Sequence, residues 1–393
     1  MRKGMRILAG VCALVLTAAV TAGTMVHFGR LREQQRILRE KQQTLQHLIR
    51  WEKDWILRNQ LPDGAICYGP WDPLKEGQSV VPYFSNLAVL GLLSGPVTYE
   101  DILGAQAYIS WYLDHLNTPE TDPANGDGTI WDHVTALENG VISTVSTGKA
   151  DSVDSYAATF LAAAGQLTEV WSSELLEQRS QDLFRVIDAL LRTISQDGLS
   201  QVSMTNETHY LMDNCEVYAG LLGAEKLLGQ LEPEGDRLLR VVNARKDLAL
   251  ALETELWSER MGCYYVGSLG DNPVDPQEGS FYPHDTAQLF PICWGLIEPE
   301  SPRAQMLYDR FCNLWVWQEL EHMETGESHF YWCMLAYAAA KMGDGQRLGT
   351  FLETYYGRIQ QEGRGYPLYI GETGWMAMCL SAWEEALAQI PET

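Results

Sequence analysis

Three pairs of polar residues stand three positions apart in this chain, each where a polar cluster gives way to an apolar run. They are Asp151 with Asp154, Asp213 with Glu216, and Asp285 with Gln288. On a helix, residues three apart share a face, so each pair points one way. Carboxyl groups gathered among aromatic residues do not titrate alike, because burial and mutual repulsion separate their pKa values. One can stay protonated as a general acid while another is ionised as base or nucleophile, the division that glycosidic hydrolysis needs. The same spacing also describes a capping box, in which a side chain satisfies free amides at a helix start. Asp151 and Asp213 suit that structural role. Asp154 and Glu216 sit one turn inside apolar stretches, where a carboxylate needs a partner or a task. They are the leading catalytic candidates. Asp63 lies in a Pro-Asp-Gly turn that favours Asp for local reasons, and it joins Asp151, Asp213 and Asp285 in the second rank.

The elements that must position these residues repeat along the chain. Six apolar helices are predicted over 83–94, 153–169, 214–229, 285–298, 328–343 and 373–388, rich in Ala, Gly and aromatic residues. Each opens on a polar cluster: Pro-Tyr-Phe-Ser-Asn (82–86), Asp-Ser-Val-Asp-Ser-Tyr (151–156), Asp-Asn-Cys-Glu-Val-Tyr (213–218), Pro-His-Asp-Thr-Ala-Gln (283–288), Gly-Glu-Ser-His-Phe-Tyr (326–331) and Gly-Glu-Thr-Gly-Trp (371–375). Six amphipathic helices with one charged face alternate with them, over about 41–60, 99–116, 173–196, 233–258, 301–321 and 345–361. Long strands are almost absent from this reading. An apolar inner ring inside an amphipathic outer ring is the economical packing. The longer connections all lead into inner helices, so one face should carry the function. Tyr83, Asn86, Tyr156, Tyr282, His284, Gln288, His329, Glu372 and Trp375 lie at those openings, with Trp131 in a neighbouring loop. Aromatic faces pack on the C–H faces of sugars, which makes this set a candidate carbohydrate-binding surface, although many aromatic residues serve only as core.

Composition narrows the classes. With 46% hydrophobic residues and 13 Trp, a large core is available, and nothing in the middle of the chain reads as a linker. Residues 1–54 carry ten basic and four acidic side chains, whereas the remainder carries 18 basic and 48 acidic, a charge of −30. Such a domain repels phosphate backbones, which argues against nucleic-acid binding and against strongly anionic glycans. Apart from Cys12, seven cysteines are scattered among apolar neighbours with no zinc spacing and no disulfide framework. Asp122, Asn125 and Asp127 imitate part of a calcium loop, but the rest of its spacing fails, so an ordinary turn is expected. Neither a metal nor a cofactor is expected. Gly-x-Ser-x-Gly, His-Glu-x-x-His and phosphate-binding glycine motifs are missing from the sequence.

The N-terminus reads as a membrane signal. Arg2, Lys3 and Arg6 precede twenty uncharged residues, Ile7 to Val26, long enough to cross a bilayer as a helix. This favours an uncleaved anchor over 1–30 with the catalytic domain outside the cell; cleavage near Ala22 would instead release it. Leu31, Leu38 and Leu45 are seven apart, so 31–44 reads as a helical stalk leading into a domain over 45–393. A monomer is expected, since the heptad signal is short.

Six hairpins carrying Leu-Pro-Asp-Gly-Ala-Ile (61–66), Pro-Tyr-Phe-Ser-Asn-Leu-Ala (82–88), Asp-Ser-Tyr-Ala-Ala-Thr-Phe-Leu (154–161) and Tyr-Pro-His-Asp-Thr-Ala-Gln-Leu (282–289) resemble the six-hairpin glycosidase superfamily. The resemblance covers about 45–390. It implies an all-α (α/α)6 barrel, a carbohydrate cleft at the N-terminal ends of the inner helices, and an inverting glycosidase. An inverting pair should stand about 6.5–9.5 Å apart, leaving room for water. Two alternatives stay open: a lyase or epimerase using His284 or His329 with a tyrosine, and a non-catalytic glycan-binding envelope protein.

Overall fold

The computed structural model describes residues 36, 39–138, 140–270 and 272–389. The anchor segment over 1–30 and the stalk leucines Leu31 and Leu38 lie outside the described residues. Among the described residues no helix is long and apolar enough to cross a membrane.

The inner helices are α2 (Pro82–Leu92), α4 (Asp154–Val170), α6 (Leu211–Leu231), α8 (Phe290–Cys293), α10 (Cys333–Lys341) and α12 (Ile370–Ala388). The outer ones are α1 (39–58), α3 (Tyr99–Asp114), α5 (Ser180–Thr193), α7 (Asp236–Ala251), α9 (Pro302–Leu314) and α11 (Gly345–Glu362). In α5, Leu183, Phe184, Val186, Ile187 and Leu190 face the core while Asp182, Arg185 and Arg192 stay outside, the single apolar stripe of an outer element. By contrast, α4 is buried from Asp154 to Leu161 without a break, as a helix surrounded by others must be. Each inner helix packs on the next, and α12 returns to pack on α2, so the ring closes into an (α/α)6 barrel.

Small residues let the inner helices approach. A Cβ at Gly91 of α2 would stand 2.7 Å from the Gly374 carbonyl oxygen and 2.8 Å from its Cα, on α12 where the ring closes. Both neighbours are backbone and cannot turn aside. Gly91→Ala is therefore expected to lower stability by about 1–3 kcal/mol through overpacking. A lower urea midpoint with an unchanged slope would show it.

Three segments depart from the expected pattern. The fourth inner helix is broken into a wide turn over Phe281–Asp285, a 3₁₀ turn over Thr286–Leu289, and α8. Pro283 and Pro291 explain this, since neither offers an amide to the helical ladder. The fifth begins only at Cys333, because Trp332 takes a left-handed conformation (φ 56°) ahead of it. Finally, β2 (His133–Glu138) pairs antiparallel with β3 (Val141–Ser146), from His133 opposite Ser146 to Glu138 opposite Val141, and β1 (Ser79–Val80) adds to β2. This hairpin departs from the near-absence of long strands expected. Its β-branched residues and the Asn-Gly step at 139–140 are hairpin signals that the helical repeat overshadows. Short pairs complete the same face: β4 (Thr208–Tyr210) with β7 (Gly267–Leu269) and β8 (Asn272–Val274), and β5 (Trp257–Ser258) with β6 (Cys263–Tyr264).

All seven described cysteines are free, and six are buried as small apolar groups. The Asp122 carboxylate accepts from the Asn125 amide at 3.1 Å and from Thr129 Oγ1 at 2.9 Å, which makes that segment a turn held by its own side chains. Among the described residues, no group of three His, Cys, Asp or Glu could hold a metal ion.

Candidate active site

The first turns of the inner helices open into one cavity of about 750 Å³. Its lining sorts by chemistry. Asp132, Asp151, Asp213 and Glu216 make an acidic wall, with Ser152, Ser155 and Tyr156 among them. Phe84, Tyr282, Phe330, Trp332, Tyr369 and Trp375 make an aromatic one, which Glu372 joins. These rings support each other: Phe84 and Phe330 meet Tyr369 edge-on at 4.6 and 5.1 Å between centroids, and Tyr282 lies 5.1 Å from Trp332.

Glu216 projects from the second turn of α6 and is 2% exposed. Tyr83, from the first turn of α2, donates its hydroxyl to Glu216 Oε1 at 2.5 Å. Burial pushes the Glu216 carboxyl up to about 8, and the Asp154 charge adds to the rise, while Tyr83 and Ser155 resist it. The group is thus held protonated at neutral pH. Asp213 stands one turn earlier on the same helix. Burial, then the charges of Asp154, Glu216 and Asp151, raise its pKa well above the carboxylate range.

Asp154 is fully buried but does not line the cavity. Its carboxylate accepts from Ser152 Oγ at 2.6 Å, the Ser155 amide at 2.8 Å and Ser200 Oγ at 2.9 Å. Burial lifts its pKa to about 6 against those donors. It reaches the cavity through its charge on Asp213 and Glu216. Asp151 is exposed at the cavity edge. Asp132, at the foot of β2, accepts from Tyr156 Oη at 2.9 Å, and burial followed by the nearby Asp151 raises its pKa.

Glu372 is 1% exposed in the first turn of α12. Its two oxygens accept from consecutive backbone amides, Trp332 at 2.8 Å and Cys333 at 2.6 Å. The left-handed Trp332 aims both amides at one point, a conformation that an aromatic residue adopts only under constraint. The carboxylate therefore caps α10 from a neighbouring helix. Burial raises its pKa, and the two amides pull it back.

Several expected site residues lie elsewhere. Asp63 is exposed and closes its own turn on the Ala65 amide at 3.1 Å. Asp285 accepts from the Gly279 amide and Trp315 Nε1 at 2.9 and 3.0 Å, and Gln288 bonds both backbone groups of Tyr264. Asn86 is spent between the Tyr156 carbonyl, Thr159 and Tyr108. Trp131, His284 and His329 are not among the lining residues, and no other histidine among the described residues is. The cavity does gather Tyr83, Tyr156, Tyr282, Glu372 and Trp375. Sequence reasoning missed Asp132, Phe84, Phe330, Trp332 and Tyr369. For Asp132 the signal was the hairpin that follows it.

No protein-family model matches the sequence, and no curated protein matches it. Solved structures do. A glycosidase variant in complex with glucose shares 14% identity at a TM-score of 0.59, covering 90% of this chain and 99% of its own. A GH63 mannosylglycerate hydrolase from Thermus thermophilus, in complex with glucose, shares 13% at 0.53 over 86% and 99%. An uncharacterized conserved protein from the same organism shares 12% at 0.55 over 85% and 99%. The chain shares the fold of these structures. Within this (α/α)6 fold, α6 and α12 are the third and sixth inner helices, so Glu216 and Glu372 reach the cavity from opposite sides of the ring.

Proposed function

We propose that the protein is a glycoside hydrolase acting with inversion, with Glu216 as general acid and Glu372 as general base. One observation carries the reading: two buried carboxyl groups enter one aromatic-lined cavity from facing helices, Glu216 hydrogen-bonded by a phenol and Glu372 by two backbone amides. Tyr83 occupies Glu216 Oε1, which leaves Oε2 to carry the proton toward the glycosidic oxygen. Across the cavity, two amide donors oppose the rise that burial gives the Glu372 pKa, and in its ionised form Glu372 takes a proton from water as that water attacks the anomeric carbon. The C–O bond breaks, and the leaving oxygen receives the Glu216 proton. The aromatic residues of the lining would orient the sugar. His284 and His329, the bases that the lyase and epimerase alternatives would use, do not line the cavity.

The test is mass-detected digestion of a broad oligosaccharide panel, with the first anomer of each product read by proton NMR. Cleavage with inverted configuration is expected. Products bearing a double bond, or retained configuration, would overturn the mechanism. Tyr83 acts through Glu216 as a positioning residue. Tyr83→Phe removes a donor that lowers the Glu216 pKa, so the alkaline limb of kcat/KM should move to higher pH while kcat falls about tenfold. An unmoved limb would show that the hydroxyl does not govern this proton. We also propose that the segment over 1–30 anchors the enzyme at the cell surface, on the strength of its basic start and twenty uncharged residues.

A further inference from the structure

The aromatic wall does not end where the cavity does. Phe330 and Trp332 line the cavity, and each carries a second ring outward. Tyr282 lies 5.1 Å from Trp332, and Tyr366 lies 6.2 Å from Phe330, between centroids. Tyr282 is 51% exposed and Tyr366 73%, so neither ring is there to fill the core. Tyr366 stands outside the lining altogether, one ring beyond Phe330. Exposed apolar side chains that lie singly need no explanation, but these adjoin the lining. Tyr369, Phe330 and Tyr366 make one unbroken strip from the cavity wall to open solvent.

The opposite lip has the other chemistry. Asp151 precedes α4, the second inner helix, which stands across the ring from α10 and the Phe330 segment that leads into it. Asn206 and Tyr210 precede α6, across from α12 and the Tyr366 segment. All three line the cavity and are exposed. A sugar ring presents apolar C–H faces and an edge of hydroxyls, so it can lie on the rings and bond Asp151 and Asn206 at once. An acyl chain would bury those polar groups without partners, at a cost.

We propose that Phe330 and Tyr366 form an outer platform for a saccharide unit beyond the one that reacts, so that the substrate is an oligosaccharide or longer chain. This rests on the glycosidase reading and deepens it: Tyr366 is the residue that tells a chain from a short glycoside. A unit stacked there buries an aromatic face that solvent now covers. The ring does this, and the phenol hydroxyl is not needed.

Calorimetric titration tests it, using the full chain with Glu216→Gln to stop cleavage, against gluco-, manno-, xylo- and N-acetylgluco-oligosaccharide ladders from the disaccharide upward. In the series that binds, the longer members are expected to bind about tenfold more tightly than the disaccharide. Adding Tyr366→Ala should remove that gain and leave the disaccharide unchanged, while Tyr366→Phe should keep it. The position is exposed, so neither change threatens the fold. Affinity that does not depend on length, or a length gain that survives Tyr366→Ala, would overturn the platform and leave the hydrolase reading intact. A length gain lost in Tyr366→Ala, with no cleavage of that series by the wild type, would keep the platform and sink the hydrolase reading. Binding of no ladder would overturn both.

Discussion

Glu216→Gln is expected to cut turnover about 10²–10⁴-fold and, at the same time, to make the protein more stable near neutral pH. The two effects share one cause. Burial pushes the folded Glu216 carboxyl to about 8, whereas an unfolded Glu titrates near about 4.3. Between those values the native chain holds a proton that the unfolded chain has released. Stability therefore falls as pH rises through that window, and the stabilising contribution of the bound proton is lost as pH passes 8. Glutamine never ionises, so the variant escapes the loss. Its melting temperature should match the wild type near pH 4 and exceed it increasingly from pH 5 to 8. The amide keeps an oxygen for the Tyr83 hydroxyl, so the local packing survives. Turnover that persists in a folded, stabilised variant would remove Glu216 from the acid role. A variant less stable at pH 8 would contradict the protonated state itself.

The sequence made the barrel legible because burial writes itself into composition. The run Tyr-Ala-Ala-Thr-Phe-Leu-Ala-Ala-Ala at 156–164 has no charged face to present to water, while α5 presents one plainly. Site residues were harder, because helical spacing fixes a face but not which neighbour that face meets. Asp154 and Glu216 look alike along the chain, each a carboxylate in an apolar helix. In the structure Glu216 opens on the cavity, and Asp154 turns between α4 and the 200 loop, where Ser152 and Ser200 hold it. No local signal separates the two. Asp132 depends on a hairpin whose closure brings it beside Tyr156. The left-handed Trp332 is less legible still, since the Glu372 carboxylate that receives its amide comes from another helix.

Glu372 poses the sharper question, because its position has two sufficient explanations. As a cap, it satisfies the Trp332 and Cys333 amides that open α10. As a base, it activates water opposite Glu216. Glu372→Gln disturbs both roles, since an amide group offers one oxygen where two donors converge. A turnover loss of about 10²–10⁴-fold is expected, with a lower melting temperature that by itself decides nothing. Chemical rescue separates the roles. In Glu372→Ala, added azide should attack the anomeric carbon from the vacated side while the leaving oxygen takes the Glu216 proton. The expected product is a glycosyl azide of inverted configuration, formed at a rate that rises with azide concentration. A capping residue gives lost stability and no azide adduct. Full turnover in both variants would move the base to the acidic wall, where Asp151 and Asp132 stand nearest to solvent. An inverted azide adduct, by contrast, requires an empty place on the far face of the sugar, which only a carboxylate that acted there leaves when removed; inverted products from the wild type then make that carboxylate a base and not a nucleophile.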